Sequence, residues 1–104
     1  MIEPANKLTL GQVERFSYLV EECSEVIKVC TKILRHGFYA KDFSTGQEVS
    51  YNNRADLERE LVDVFKAISR LCEAKDISEM SIVSFMESQE ETRSDNTFFH
   101  HQGE

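Results

Sequence analysis

Residues 13–34 read VERFSYLVEECSEVIKVCTKIL, and this stretch decides the fold. Its apolar residues recur at steps of three and four, the period of one helical face: Val13, Phe16, Val20, Cys23, Ile27, Cys30 and Leu34. The pattern predicts a helix from near Thr9 to about Arg35, with this stripe as its core face. His36-Gly37 follows as a C-terminal signal, since glycine tolerates the backbone conformation that ends a helix.

Two further helices are predicted. The second begins after Asn53, whose side chain suits an N-cap, and carries Asp56 in its first turn to complement the helix dipole. Its core stripe is Leu57, Leu61, Val64, Phe65, Ile68, Leu71 and Cys72. The third runs from an Asp76 cap to about Thr92. The chain is therefore predicted to be all-α.

The remaining segments lack helical periodicity. Residues 38–53 mix turn residues with aromatic ones, and we interpret them as a structured, lid-like loop with a short hairpin around Thr45-Gly46. Residues 94–104 form a tail with two alternatives: a flexible segment, or one that docks through Phe98-Phe99. A chain of 104 residues is expected to form a single domain, residues 1–104.

Two acidic motifs lie beside the core stripes, EECSE at residues 21–25 and ELVD at residues 60–63. Carboxylates three residues apart share one face of a helix. Packing the two faces together would place four carboxylates around one point, where like charges repel strongly. A fold that tolerates this repulsion usually does so to bind a cation. The motifs therefore predict a metal site.

The donor types indicate which cation. Oxygen ligands without nitrogen or sulfur select a hard ion, and Mg²⁺ completes its shell with water and phosphate oxygens. A di-iron bundle would use ExxH motifs, but His36, His100 and His101 do not lie three residues after a glutamate.

A solvated helix face is the alternative for each motif taken alone. Residues 21–25 have Lys28 and Lys32 as neighbours, and residues 60–63 have Arg59, Lys66 and Arg70. The two motifs, however, lie at the same offset from two core stripes, and this joint pattern favours the metal site. Outside the two motifs, the simplest interpretation of Lys32 is a surface lysine, and that of Asn53 is an ordinary N-cap.

The pattern EExxE followed by ExxD resembles the MazG-like family of all-α nucleotide pyrophosphohydrolases, relatives of dimeric dUTPases and phosphoribosyl-ATP pyrophosphohydrolases. Residues 13–73 carry the resemblance. The gap between the motifs, residues 26–59, is longer than the family's usual gap.

The resemblance implies a MazG-like helical bundle and a Mg²⁺-dependent reaction that converts a nucleoside triphosphate to the monophosphate and pyrophosphate. It implies four metal ligands: Glu22, Glu25, Glu60 and Asp63. Glu22 would also orient or deprotonate the attacking water, and Glu21 would support the ligands through Lys28 or a neighbouring helix. Lys32 and Asn53 are candidates for contact with phosphate or base. A phosphoribosyl-ATP pyrophosphohydrolase and a non-catalytic acidic interaction module remain the alternatives.

Net charge and hydropathy disfavour two kinds of partner, nucleic acids and membranes. The net charge is −7 and the basic residues are scattered, which disfavours nucleic acid because phosphate backbones need clustered cations. No apolar run approaches the length that spans a bilayer, and the start lacks a signal-peptide pattern. We expect a cytoplasmic protein without membrane contact. The three cysteines are expected to be reduced core thiols.

Helix 1 is apolar on more than one side. Leu19, Val26, Val29 and Ile33 form a second stripe beside the first. Burying both stripes requires a partner helix, so the core is expected to be completed by homo-oligomerisation. A homodimer with a four-helix core, or a dimer of such dimers, is the simplest arrangement, and the resemblance also implies helical oligomers.

Overall fold

The structure, a computed structural model, describes residues 5–39, 52–88 and 101–104. It contains three α-helices: α1 (Leu10–His36), α2 (Asn53–Glu73) and α3 (Glu79–Met86). The described residues include no strand, which confirms the all-α class. Among these helices, none combines the length and the apolar character that a bilayer-spanning segment needs.

Both ends of α1 agree with the sequence. Thr9 is the N-cap, and its Oγ1 accepts a hydrogen bond from the Gln12 backbone N–H at 3.1 Å. The Gln12 side chain in turn accepts from the Thr9 N–H at 2.9 Å, which completes a capping box. Gly37 follows the last helical residue with φ 80°, and its N–H donates to the Ile33 carbonyl at 2.8 Å. A residue with a side chain would be strained at that φ.

The start of α2 corrects the predicted cap by one residue. Asn52, not Asn53, is the N-cap, and its Oδ1 accepts from the Ala55 N–H at 2.7 Å. Asn53 is the first helical residue and is 3 % exposed. Its Nδ2 donates to the Gly37 carbonyl at 3.0 Å, and its backbone N–H donates to the Phe38 carbonyl at 2.7 Å. Asn53 therefore fastens the start of α2 to the end of α1.

A second fastening joins the opposite ends of the two helices. The Asp76 carboxylate accepts from Arg15 Nε at 2.5 Å, from Arg15 Nη2 at 3.2 Å and from Gln12 Nε2 at 3.2 Å. Its side chain is only 3 % exposed, and the bond from Arg15 lowers the pKa of Asp76. Because the end of α1 meets the start of α2 and the start of α1 meets the end of α2, the two helices pack antiparallel.

The sequence predicted Asp76 as the N-cap of α3, and this prediction is wrong because the Asp76 carboxylate is bonded to Arg15 and Gln12. Ser78 caps α3 instead, and its Oγ accepts from the Ser81 N–H at 3.2 Å. The helix ends at Met86 rather than near Thr92. The rest of that predicted extension, the predicted hairpin around Thr45-Gly46 and most of the predicted tail lie outside the described residues.

The face of α1 that packs on α2 is not the predicted one. Val29 is buried, and partly buried residues share its side: Leu19, Val26 and Ile33. Most of the predicted core stripe points away, with Val20 69 %, Ile27 65 % and Leu34 87 % exposed, while its members Phe16 and Cys30 are partly buried. The fastenings at Asn53 and Arg15 select the face, because they fix how α1 is turned towards α2. Periodicity finds both apolar stripes but does not rank them.

The same rotation corrects two other expectations. Cys23 is exposed, while Cys30 and Cys72 are only partly buried, and all three are free. They are therefore not core thiols within one chain. On α2, Leu71 is fully buried as predicted, but Phe65 is 65 % exposed.

Candidate metal centre

Three acidic side chains from the two motifs meet between α1 and α2. Glu22 lies on α1, and Glu60 and Asp63 lie on α2. One carboxylate oxygen from each residue lies within 4.8 Å of the others, and all three residues are partly buried. The structure thus brings together three of the four residues that the sequence proposed as metal ligands.

Helix geometry accounts for this convergence. Glu60 and Asp63 are three residues apart on α2 and so share its α1-facing side. Ala67 follows Asp63 by one turn and is fully buried. Because its side chain ends at Cβ, α1 can approach α2 closely there. The close approach brings the Glu22 carboxylate within reach of the other two.

The donor set fits a hard divalent cation. Ligands on opposite sides of Mg²⁺ stand about 4.2 Å apart, twice a bond length of about 2.1 Å, and those of Ca²⁺ stand up to about 5.2 Å apart. The 4.8 Å bound lies within the Ca²⁺ range. Because 4.8 Å is an upper bound, the oxygens stand at most about 0.6 Å beyond the Mg²⁺ limit.

Partial burial and negative neighbours determine the electrostatic environment of Glu22. Partial burial is the largest cause that raises the pKa of Glu22 above its ordinary value of 4.5. The negative charges of Asp63, Glu21, Glu60 and Glu25 raise it further, in that order. Each cause penalises the ionised form of Glu22. A bound cation would remove the penalty, since it favours the ionised carboxylate.

Glu25 and Glu21 lie beside the triad rather than in it. The Glu25 carboxylate accepts a hydrogen bond from Lys28 Nζ at 3.1 Å, so the described partner of Lys28 is Glu25 and not Glu21. Glu21 is exposed, and it acts on Glu22 through its charge. Their roles as fourth ligand and as supporting residue stay predictions.

A cleft of about 550 Å³ opens next to the triad and shares Glu60 with it. Three cations from α1 line it, namely Lys28, Lys32 and Arg35, together with Glu25 and Asp56. Lys32 is exposed there, where the sequence placed it. Arg35 was missed as a site residue, although its spacing from Lys28 and Lys32 puts all three on neighbouring turns of one helix.

Asn53 is placed differently from the prediction. It is almost fully buried and its Nδ2 is bonded to the Gly37 carbonyl. It does not line the cleft beside the triad. The structure therefore gives Asn53 a structural contact, while its contact with a substrate stays a prediction without support in this geometry.

A larger cleft lies elsewhere among the described residues. It measures about 850 Å³ and lies between the end of α2 and α3, with apolar residues such as Ile68 and Val83 in its lining. Its most buried carboxylate, Asp76, is already bonded to Arg15. We place the functional site at the smaller cleft because carboxylates and cations converge there.

Comparison of the chain with protein-family models, with curated proteins and with solved structures finds no match. The geometry of the site therefore carries the functional argument.

Proposed function

We propose that this protein is a Mg²⁺-dependent nucleoside triphosphate pyrophosphohydrolase with a MazG-like helical bundle. It would convert a ribo- or deoxyribonucleoside triphosphate to the monophosphate and pyrophosphate. The observation that carries the proposal is the convergence of Glu22, Glu60 and Asp63, with one oxygen of each within 4.8 Å of the others. Carboxylates held this close between two helices repel one another unless a cation binds.

The surroundings of the triad support a polyphosphate substrate. The protein carries a net charge of −7, so a triphosphate needs positive charge at its binding site. A divalent ion held by the triad would bridge the carboxylates and the phosphate oxygens, and Lys32 and Arg35 supply positive charge along the cleft. Lysine and arginine are both common phosphate ligands. Metal and cations together thus form one site for a triphosphate.

The resemblance to MazG-like enzymes suggests the chemistry, and the residues of the triad and the cleft are compatible with it. When bound, Mg²⁺ supplies charge neutralisation at the phosphate oxygens and lowers the pKa of the attacking water. Glu22 orients that water and accepts its proton. The water oxygen attacks the α-phosphorus, the bond from the α-phosphorus to the bridging oxygen breaks, and pyrophosphate leaves. Lys32 would hold the departing phosphates, and Glu25 would be the fourth candidate ligand once its contact with Lys28 is broken.

We also propose that the enzyme works in the cytoplasm as a homo-oligomer. The exposed apolar residues of α1, such as Ile27 and Leu34, support the oligomer because contact with a second copy would remove them from water.

Pyrophosphate release tests the proposal. A panel of ribo- and deoxyribonucleoside triphosphates, with phosphoribosyl-ATP included, is incubated with the protein and Mg²⁺, and again with EDTA. We expect release from at least one nucleoside triphosphate, abolished by EDTA, by Glu22→Gln and by Asp63→Asn. Glu58→Gln is the matched control, since Glu58 is an exposed acid on α2, the helix that carries Asp63. Turnover of phosphoribosyl-ATP alone would assign the related enzyme instead.

A non-catalytic interaction module is the second candidate. Exposed apolar residues on α3, among them Met80, Phe85 and Met86, favour it because such surfaces often contact proteins. Thermal unfolding separates the two candidates: a ligand that binds only the folded state raises Tm. Absence of any Tm shift with Mg²⁺ and a non-hydrolysable nucleotide, combined with absence of turnover, would support the module.

A further inference from the structure

A second, smaller cleft lies beyond the triad in the direction away from Lys32. Its volume is about 260 Å³, and residues of α1 and α2 line it: Glu14, Arg15, Tyr18 and Arg70. Tyr18 precedes Glu22 by four residues, or about 6 Å along α1, and lies on the same side of that helix. Arg70 follows Asp63 by seven residues, which is two turns of α2. The sides of both helices that form the triad therefore continue into this cleft.

The position of this cleft matches the direction in which a nucleoside would extend. In the proposed reaction the α-phosphorus lies at the triad, and it joins the departing pyrophosphate to the nucleoside. Lys32 and Arg35 line the cleft on one side of the triad, so the pyrophosphate occupies that side and the nucleoside extends to the other. A volume of 260 Å³ is below the roughly 300–1,000 Å³ of complete small-molecule sites. The smaller cleft therefore suits one part of a nucleotide.

Tyr18 and Arg70 give the cleft the chemistry of a base-binding site. The Arg70 guanidinium lies over the Tyr18 ring, 5.6 Å from its centroid. Tyr18 is partly buried and Arg70 is exposed, and nucleobases stack on both aromatic rings and guanidinium planes. Arg15 is already bonded to Asp76. Arg70, in contrast, forms no salt bridge or side-chain hydrogen bond with the residues that the structure describes, so its donors are available to a ligand.

We infer that this cleft holds the guanine base of a guanosine or deoxyguanosine triphosphate, an inference that rests on the proposed function. Arginine donates two hydrogen bonds to the O6 and N7 acceptors of guanine, whereas adenine has a donor in place of O6 and pyrimidines lack N7. The exposed Glu14 carboxylate accepts from the N–H groups on the opposite edge of guanine. In the complex Arg70 moves from the Tyr18 ring to the edge of the base, and the base stacks on the ring.

Calorimetric binding, which does not depend on turnover, tests the inference. The ligands are the α,β-methylene analogues of GTP, ATP, CTP and UTP, and inorganic tripolyphosphate, each with Mg²⁺. We expect the GTP analogue to bind about tenfold more tightly than the others. Tyr18→Ala and Arg70→Ala should each remove this preference and leave the Kd of tripolyphosphate within about threefold. Tyr18→Phe keeps the ring and should keep the preference, whereas Arg70→Lys keeps the charge but loses the paired donors and should not. Lys66→Ala, which removes an exposed cation of α2 outside this cleft, is the matched control.

The outcomes separate this inference from the proposed function. Equal affinity for the four analogues would overturn the inference, while pyrophosphate release would still support the hydrolase. If Arg70→Ala weakened tripolyphosphate as much as the GTP analogue, Arg70 would contact phosphate and the inference would be wrong. A guanine preference without pyrophosphate release from any nucleotide would support the base site and refute the hydrolase. Absence of binding by every ligand would overturn both. Should Tyr18→Ala fail to fold, the exposed Arg70 decides the test through its two variants.

Discussion

Replacement of Asn53 distinguishes a structural residue from a substrate contact. Its side-chain amide donates to the Gly37 carbonyl at 3.0 Å and the residue is 3 % exposed. Loss of such a hydrogen bond costs about 0.5–1.5 kcal/mol, and loss of the packed amide group adds to it. We therefore expect Asn53→Ala to lower the free energy of unfolding by about 1–2 kcal/mol.

This loss is large enough to measure by heat. For a domain of this size, 1 kcal/mol corresponds to a shift of about 4–8 °C in Tm. Asn53→Ala should therefore lower Tm by about 4–16 °C. Thermal unfolding monitored by circular dichroism in the absence of nucleotide measures this shift. At temperatures well below the new Tm, the affinity of the folded variant for a non-hydrolysable nucleotide should change little, since Asn53 does not line the cleft.

Lys32→Ala is the matched contrast. Lys32 is exposed and lines the cleft, so its removal should change the free energy of unfolding by less than about 0.5 kcal/mol while weakening nucleotide binding. The opposite result, an unchanged Tm with lost nucleotide binding for Asn53→Ala, would show that Asn53 contacts the substrate. The fastening role derived from the structure would then be wrong.

Further predictions concern the triad, the Asp76 contact and the core. Glu22→Gln or Asp63→Asn should raise Tm in EDTA, because each removes repulsion, and should abolish the rise in Tm that we expect Mg²⁺ to give the wild type. Because folding raises the pKa of Glu22, the cation-free wild type should lose stability as pH rises from about 4.5, and Glu22→Gln should flatten this slope in urea titrations. Folding lowers the pKa of Asp76 below 3.8. The ionised Asp76 carboxylate should therefore stabilise the fold above pH 3.8, and this stabilisation should disappear as pH falls through the lowered pKa. Asp76→Asn should remove that acid dependence. Leu71→Ala should lower the free energy of unfolding by about 2–5 kcal/mol, measured by urea denaturation.

The helices themselves could be predicted from local sequence. Thr9 and Gly37 act on their own neighbours through short-range hydrogen bonds, so the bounds of α1 follow from residue type and position. The start of α2 was displaced by one residue because two adjacent asparagines can both cap a helix. Asn53 bonds to the Gly37 carbonyl and leaves Asn52 to cap the helix. Local sequence does not predict this contact between residues 16 positions apart.

Hydrophobic periodicity alone could not predict which face of α1 packs on α2. Both of its stripes satisfy the helical period, and the choice between them depends on long-range contacts such as that of Arg15 with Asp76. Asp76 looked like a cap because it precedes an acidic residue at the right spacing. Tertiary pairing took precedence over that local signal. The triad was predictable because its residues lie at fixed offsets on two helices that pack antiparallel, whereas the pairing of Glu25 with Lys28 depends on side-chain rotation.

The same contacts that turn α1 also explain how the carboxylates stay together. Glu22, Glu60 and Asp63 repel one another across the helix pair, and this repulsion acts to separate α1 from α2 between their ends. Asn53 holds the helices at one end and the Arg15–Asp76 pair holds them at the other. The buried residues Val29, Ala67 and Leu71 lie between these fastenings. The fold thus holds the acidic cluster together through contacts made by other residues, so the proposed cation would not need to assemble the site.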